Sequence, residues 1–168
     1  MSFEELNLSA SILRDLYKDN LVSVDTLTAD QTAPSTSIKF LGNNLKEVII
    51  LVHKSNAIYL PDDELSLLTK MLAACNLTLA DVAIVNLAKH EYSLSEIEQQ
   101  LRPQKLIALG VDNAAGIIGI DSAPYVVSSH NNYVFSVAPD LKEMLGDSQN
   151  ARGIKTKLWG ALKQMFGL

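Results

Sequence analysis

Three polar clusters hold the side chains of this chain whose types and spacing suit chemistry. The run His53-Lys54-Ser55-Asn56 offers a titratable ring, a cation, a hydroxyl and an amide within four residues. Such a set can contact a phosphate or a base, and it can equally be a solvated polar turn. The run Asn86-Leu87-Ala88-Lys89-His90 opens with an amide that both donates and accepts. Asn86 can therefore read a ligand's edge, or bond to nearby backbone and fix its own turn. The stretch from Leu109 to Gly116 places Gly110 where a strand would pass into a helix. Helix-start N–H groups attract anions. Tight packing is the simpler use of one glycine, and neither GxGxxG nor GxxxxGK[ST] is present.

Other chemistries lack their residues. The histidines are His53, His90 and His130, none four apart from another, and no HExxH occurs. A metal centre, which takes about three protein ligands, is not expected. No GxSxG elbow occurs, so Ser128-Ser129-His130 reads as loop. Cys75 is the single cysteine and sits in an apolar helical run, as a buried inert thiol. The sequence assigns no catalytic residue, no metal and no cofactor.

The elements that must position these clusters are short apolar runs. Val48-Ile49-Ile50-Leu51-Val52 precedes the His53 turn, Val82-Ala83-Ile84-Val85 precedes Asn86, and Leu106-Ile107-Ala108-Leu109 precedes Gly110. Continuous runs this short suit strands covered on both faces. Alternation with helices predicts a parallel sheet, whose working groups stand at its carboxyl ends. Strands are predicted over Glu47–Val52, Asp81–Asn86, Lys105–Leu109 and Tyr133–Val137, with Val126-Val127 pairing ahead of the last. Pro61 and Asp62-Asp63-Glu64 suit a helix's first turn. Leu65, Leu68, Met71, Leu72 and Cys75 then recur at helical spacing. Ser93 and Glu96 form a capping box for a helix that ends before Pro103. Asp112–Ile118 reads as a short helix, and Asp140–Leu145 as one or two helical turns stopped by Gly146. Ile154, Leu158, Leu162, Met165 and Phe166 define an amphipathic terminal helix.

A length of 168 residues suits one main domain. The predicted division is an N-terminal helix and linker over 1–37 and a single α/β domain over 38–168. The first part carries helical spacing from Phe3 to Tyr17, then a Thr/Ser-rich stretch with Pro34. The net charge of −5 argues against a general nucleic-acid coat and leaves room for a local basic patch. No basic start with an apolar stretch and no run of about 20 apolar residues is visible. The expectation is no membrane span and a cytoplasmic location.

Leu106 to Gly119 resembles the strand–Gly–helix signature of the uracil-DNA glycosylase-like superfamily. Ile84-Val85-Asn86-Leu87-Ala88-Lys89 is similar to its ITN-hydrophobic-hydrophobic-K motif, in which the Asn reads uracil. The strand Val48–Val52 with its turn resembles the lead into the water-activating motif. Ser136-Val137-Ala138-Pro139 falls where that family has its catalytic His-Pro. The resemblance covers about residues 45–145. It implies a three-layer α/β/α sandwich with a central, mainly parallel four-stranded sheet. It also implies ligand-binding roles for His53, Lys54, Ser55, Asn56, Asn86, Lys89, His90, Gly110, Ser136 and Pro139.

Two departures bear on activity. Active members read GQDPYH or G-E-x-P-G at the water-activating loop, whereas Val52-His53-Lys54-Ser55-Asn56 has neither carboxylate nor glycine. Ala138 occupies the histidine position and cannot donate to a leaving base. Recognition without activation is not catalysis. The pattern is similar to a non-catalytic branch, the psi subunits of bacterial DNA polymerase III. Those proteins use the N-terminal segment to bind the clamp loader and the folded body to bind the chi subunit. Residues 3–18 match such an arm by position, or else a helix packed on the domain. Leu162 to Leu168 faintly resembles the Gln-plus-hydrophobic peptides that bind sliding clamps, or docks on its own core. The expectation is a non-enzymatic interaction protein of DNA replication or repair, with clamp-loader or replication proteins as partners. A base- or nucleotide-binding module using Asn86 and the His53 turn stands second, and an atypical uracil-DNA glycosylase third.

Overall fold

The structure, a computed structural model, describes residues 37–111, 119 and 121–168. The predicted N-terminal helix and the predicted helix at Asp112–Ile118 lie outside the described residues.

The apolar runs form the central strands. The full set is β1 (Leu41–Gly42), β2 (Val48–Val52), β3 (Val82–Asn86), β4 (Lys105–Leu109), β5 (Val127–His130) and β6 (Tyr133–Ala138). Helices α1 (Asp62–Ala74), α2 (Leu94–Leu101) and α3 (Gln149–Phe166) lie between and after them, with short 3-10 turns at Leu79–Asp81 and Leu141–Met144. The six strands make one mixed sheet in the order β1-β3-β2-β4-β6-β5. The expected four strands are its parallel centre, β3-β2-β4-β6. The expectation of a four-stranded sheet is corrected by two antiparallel edge strands, β1 on β3 and β5 on β6. β1 has only two residues and β5 reads Val-Ser-Ser-His, so neither shows a hydrophobic pattern.

Strand boundaries follow local backbone preferences. β2 starts at Val48 rather than Glu47, because Glu47 has a φ of 53°, incompatible with an extended strand. β3 starts at Val82 because Asp81 closes the preceding 3-10 turn, accepting from the Thr78 N–H at 2.7 Å. That hydrogen bond holds the Asp81 carboxyl below its ordinary range. Gly42 sits at a φ of 108°, and a Cβ there would strike the carbonyl oxygens of Val82 and Leu79. Only glycine brings β1 this close to β3.

Strand residues alternate between two cores. Val48, Ile50, Val52, Val82, Ile84, Ile107 and Leu109 face α1 and α3, meeting Leu68, Leu72, Leu158 and Leu162. Ile49, Leu51, Ala83, Val85, Leu106 and Ala108 face α2, meeting Ile97 and Leu101. Helices on both faces follow from the winding. The chain moves one way from β2 to β3 and back past β2 to β4, and right-handed crossovers in opposite directions need opposite faces.

The terminal helix docks on this sheet. It buries Leu162 and Met165 and half-buries Phe166, whereas Lys163, Gln164, Gly167 and Leu168 of the clamp-peptide-like stretch are exposed. Cys75 is buried as expected, and burial pushes its thiol pKa up. No described helix is long and apolar enough to cross a membrane.

Candidate functional site

In a sheet wound this way, ligands sit outside the carboxyl ends of the two neighbouring strands whose connections depart in opposite directions. Here those strands are β2 and β4. The His53 turn leaves one and Gly110 leaves the other, so the polar clusters stand where the sheet's topology would put a site.

The site is built around a buried lysine. Lys54 continues the alternation of Val48, Ile50 and Val52 and so points toward the α1 face. Its side chain is 7% exposed. Lys54 Nζ lies 2.7 Å from Glu64 Oε2, in the first turn of α1, and also binds Asp140 Oδ1, just beyond β6. Glu64 is 4% exposed, and Glu64 Oε2 has no well-angled hydrogen bond, so it meets Lys54 as a charge contact. Burial alone would lower the Lys54 pKa. The hydrogen bond to Asp140 and the contact with Glu64 outweigh it, and the net is a pKa above the ordinary 10.5. This amine stays an ammonium at neutral pH and is a poor nucleophile or general base.

The Lys54–Asp140 pair crosses the end of β4. Neighbouring strands are about 4.8 Å apart, so β2 and β6 stand about 10 Å apart on either side of β4. A lysine and an aspartate together span that gap. Gly110, at the end of β4, makes the crossing possible. Its φ is 65°, and a Cβ there would lie 2.9 Å from Asp140 Cβ and Cγ. The Gly110 N–H donates to the Ala138 carbonyl at 3.0 Å rather than facing an open anion site.

Asn86 lies beside this bridge, 3% exposed. Its Oδ1 accepts from the backbone N–H groups of Lys54 at 2.8 Å and Ala88 at 3.1 Å. Its Nδ2 donates to the carbonyls of Lys54 at 2.8 Å, and of Ala57 and Ile58 at 3.1 Å. Both ends of the amide are occupied by backbone. Lys89 adds a second tie, Nζ to the Ser55 carbonyl at 2.7 Å. The loop after β2 is therefore clasped from β3, with His53, Ser55 and Asn56 exposed and Ile58 77% exposed.

The remaining sequence-selected residues fall in several places. His90 is half-buried and its ring packs 5.4 Å from that of Tyr92. Ser136 is 2% exposed on β6, its hydroxyl without a hydrogen-bond partner, and Pro139 is half-buried beside Asp140. His130 is at the other end of the sheet, where Glu98 Oε1 is 3.8 Å from its Nε2 and accepts from Tyr133 Oη at 2.9 Å. Burial first, and then that hydrogen bond, push the Tyr133 pKa far up. No group of three His, Cys, Asp or Glu residues able to hold a metal occurs among the described residues.

Sequence reasoning missed Glu64 and Asp140 as members of the site. Glu64 read as a helix-dipole carboxylate and Asp140 as the start of a turn, and both readings remain true locally. Asp140 also accepts from the Lys142 N–H at 2.9 Å. The available signal was Lys54 itself. A lysine that continues a buried apolar register needs a buried anion within reach. No protein-family model and no curated protein matches the chain.

Proposed function

We propose that this chain is a non-enzymatic interaction protein of the DNA replication or repair machinery. It would be built on a degenerate uracil-DNA glycosylase-like frame, as in the psi-subunit branch that its motifs resemble. The observation supporting this reading is the use of the strand-end polar groups on one another. Asn86, the counterpart of the family's uracil-reading residue, gives both ends of its amide to the 54–58 backbone. Lys54 is neutralised by Glu64 and Asp140 across the end of β4. A base entering there would have to displace a buried ion pair and a full set of hydrogen bonds, each expensive to leave unmet.

The decisive experiment is gel filtration of the full chain with purified clamp-loader and replication proteins. Co-elution with one of them supports the reading. Uracil release from a uracil-containing oligonucleotide, reduced by Asp140→Asn, would overturn it. The second reading, a base- or nucleotide-binding module, draws on the exposed His53, Ser55 and Asn56 side chains held on a clasped loop. It predicts a rise in melting temperature with uracil, a nucleotide or a short single strand.

A further inference from the structure

Charge is distributed unevenly along this molecule. From Gln149 to Leu168 the chain carries Arg152, Lys155, Lys157 and Lys163 and no Asp or Glu. The rest holds ten Lys and Arg against nineteen Asp and Glu, a net of −9. A cationic helix on so acidic a protein is not explained by bulk composition. Inside the molecule Lys155 Nζ donates to the Gly146 carbonyl at 2.9 Å, and Lys157 and Lys163 lie over aromatic rings, but none of the four cations has a carboxylate partner among the described residues.

The outward face of α3 has a definite relief. Ile154, Leu158, Ala161, Leu162 and Met165 face the core. The opposite ridge is Gly153, Thr156 and Gly160, all exposed. Thr156 folds its hydroxyl back onto the Arg152 carbonyl at 2.9 Å. Helical wheel positions place Arg152 and Lys163 along one side of this ridge and Lys157 along the other. The three cations span about 16 Å of helix axis at 1.5 Å per residue. A Cβ at Gly153 or Gly160 would meet nothing within 4 Å. Glycine weakens a helix relative to alanine, and nothing inside the molecule requires it at either position.

We infer that the outer face of α3 docks an acidic amphipathic helix of a partner protein. The inference rests on the interaction-protein reading above and names the surface and the chemistry. The low ridge lets a second helix approach closely, and the flanking cations meet carboxylates on it. Single-stranded nucleic acid, the other polyanion, needs open aromatic faces for base stacking. The nearby rings are half-buried, each with a lysine ammonium over it: Lys163 Nζ lies 5.5 Å from the centre of Trp159, Lys157 Nζ 5.8 Å from Tyr125, and Lys105 Nζ 5.3 Å from Phe166. The observations therefore favour the helix.

Trp159 is the sole tryptophan and lies on α3, so its fluorescence reports the event. The probe is a synthetic amphipathic helix with glutamate along one face and leucine along the other, titrated into the full chain. Saturable binding is expected, weakened by salt and by about tenfold in R152Q/K157Q/K163Q, as for a few exposed ion pairs. Gly160→Leu should melt no lower than the parent yet lose the peptide, because the ridge is filled. Equal binding by the triple variant, by Gly160→Leu, or of a glutamine-for-glutamate peptide overturns the inference. So does tighter binding of oligothymidylate than of the peptide. Clamp-loader co-elution unchanged in the triple variant removes this inference alone and leaves the proposed function standing.

Discussion

Replacing Asn86 by alanine tests the central structural argument, because a ligand-reading amide and a loop clasp respond in opposite ways. The substitution removes the side-chain partners of the Lys54 N–H and carbonyl, both belonging to a residue 6% exposed. Each buried group left unmet costs about 1–3 kcal/mol. The Ala57 and Ile58 carbonyls belong to more exposed residues and regain water, so they add little. The sum is about 2–6 kcal/mol, a large share of the roughly 5–15 kcal/mol that holds a domain folded. For a chain this size it corresponds to a drop in melting temperature on the order of 10 °C. Urea denaturation followed by Trp159 fluorescence measures it directly. Asn86→Asp should be no better, since a carboxylate accepts from Lys54 and Ala88 but repels three carbonyls. A loss below about 1 kcal/mol for Asn86→Ala would refute the clasp and return Asn86 to the ligand-binding candidates.

Three further outcomes follow from the same geometry. Lys54→Met strands Glu64 as an uncompensated buried charge and should cost about 3–5 kcal/mol, whereas Lys54→Met/Glu64→Gln should recover more than half of that in a thermal melt. The raised Lys54 pKa gives a signed pH dependence. The stabilisation is complete below the unfolded lysine value near 10.5 and is lost as pH rises through the folded value. Chemical denaturation should therefore show an alkaline loss that the double variant lacks. Gly110→Ala combines a left-handed φ with a Cβ pressed on Asp140. It should cost about 1–3 kcal/mol and narrow that alkaline difference, because it pushes Asp140 away from Lys54.

Much of the central architecture was legible because its signals are local. β4 falls at Lys105–Leu109 as predicted, α1 opens after Pro61 on its acidic turn, and Ser93 and Glu96 close the capping box of α2. Of the edge strands, only the pairing of Val127 was expected, and Ser128-Ser129-His130, read from the sequence as loop, continues β5. Two residues at Leu41–Gly42 have no period, and the polar Val127–His130 is extended only because β6 pairs with it. At the site, the positions of Lys54, Asn86 and Gly110 followed from the strand ends, but their partners did not. Glu64 and Asp140 are 10 and 86 residues from Lys54, and no spacing rule links groups that meet only after the sheet has been wound. The amide of Asn86 likewise left reader and clasp open until the loop backbone was seen to surround it.

The two antiparallel margins also bear on behaviour at high concentration. An unguarded strand edge is a template on which another molecule can polymerise. One margin here is cut to two residues by Gly42, and the other carries two serines and a histidine in place of an apolar stripe. The valine- and isoleucine-rich segments best suited to seeding fibrils are enclosed behind these borders. Unfastening β1 or β5, rather than disturbing the core, is thus the shortest route from this fold to aggregation.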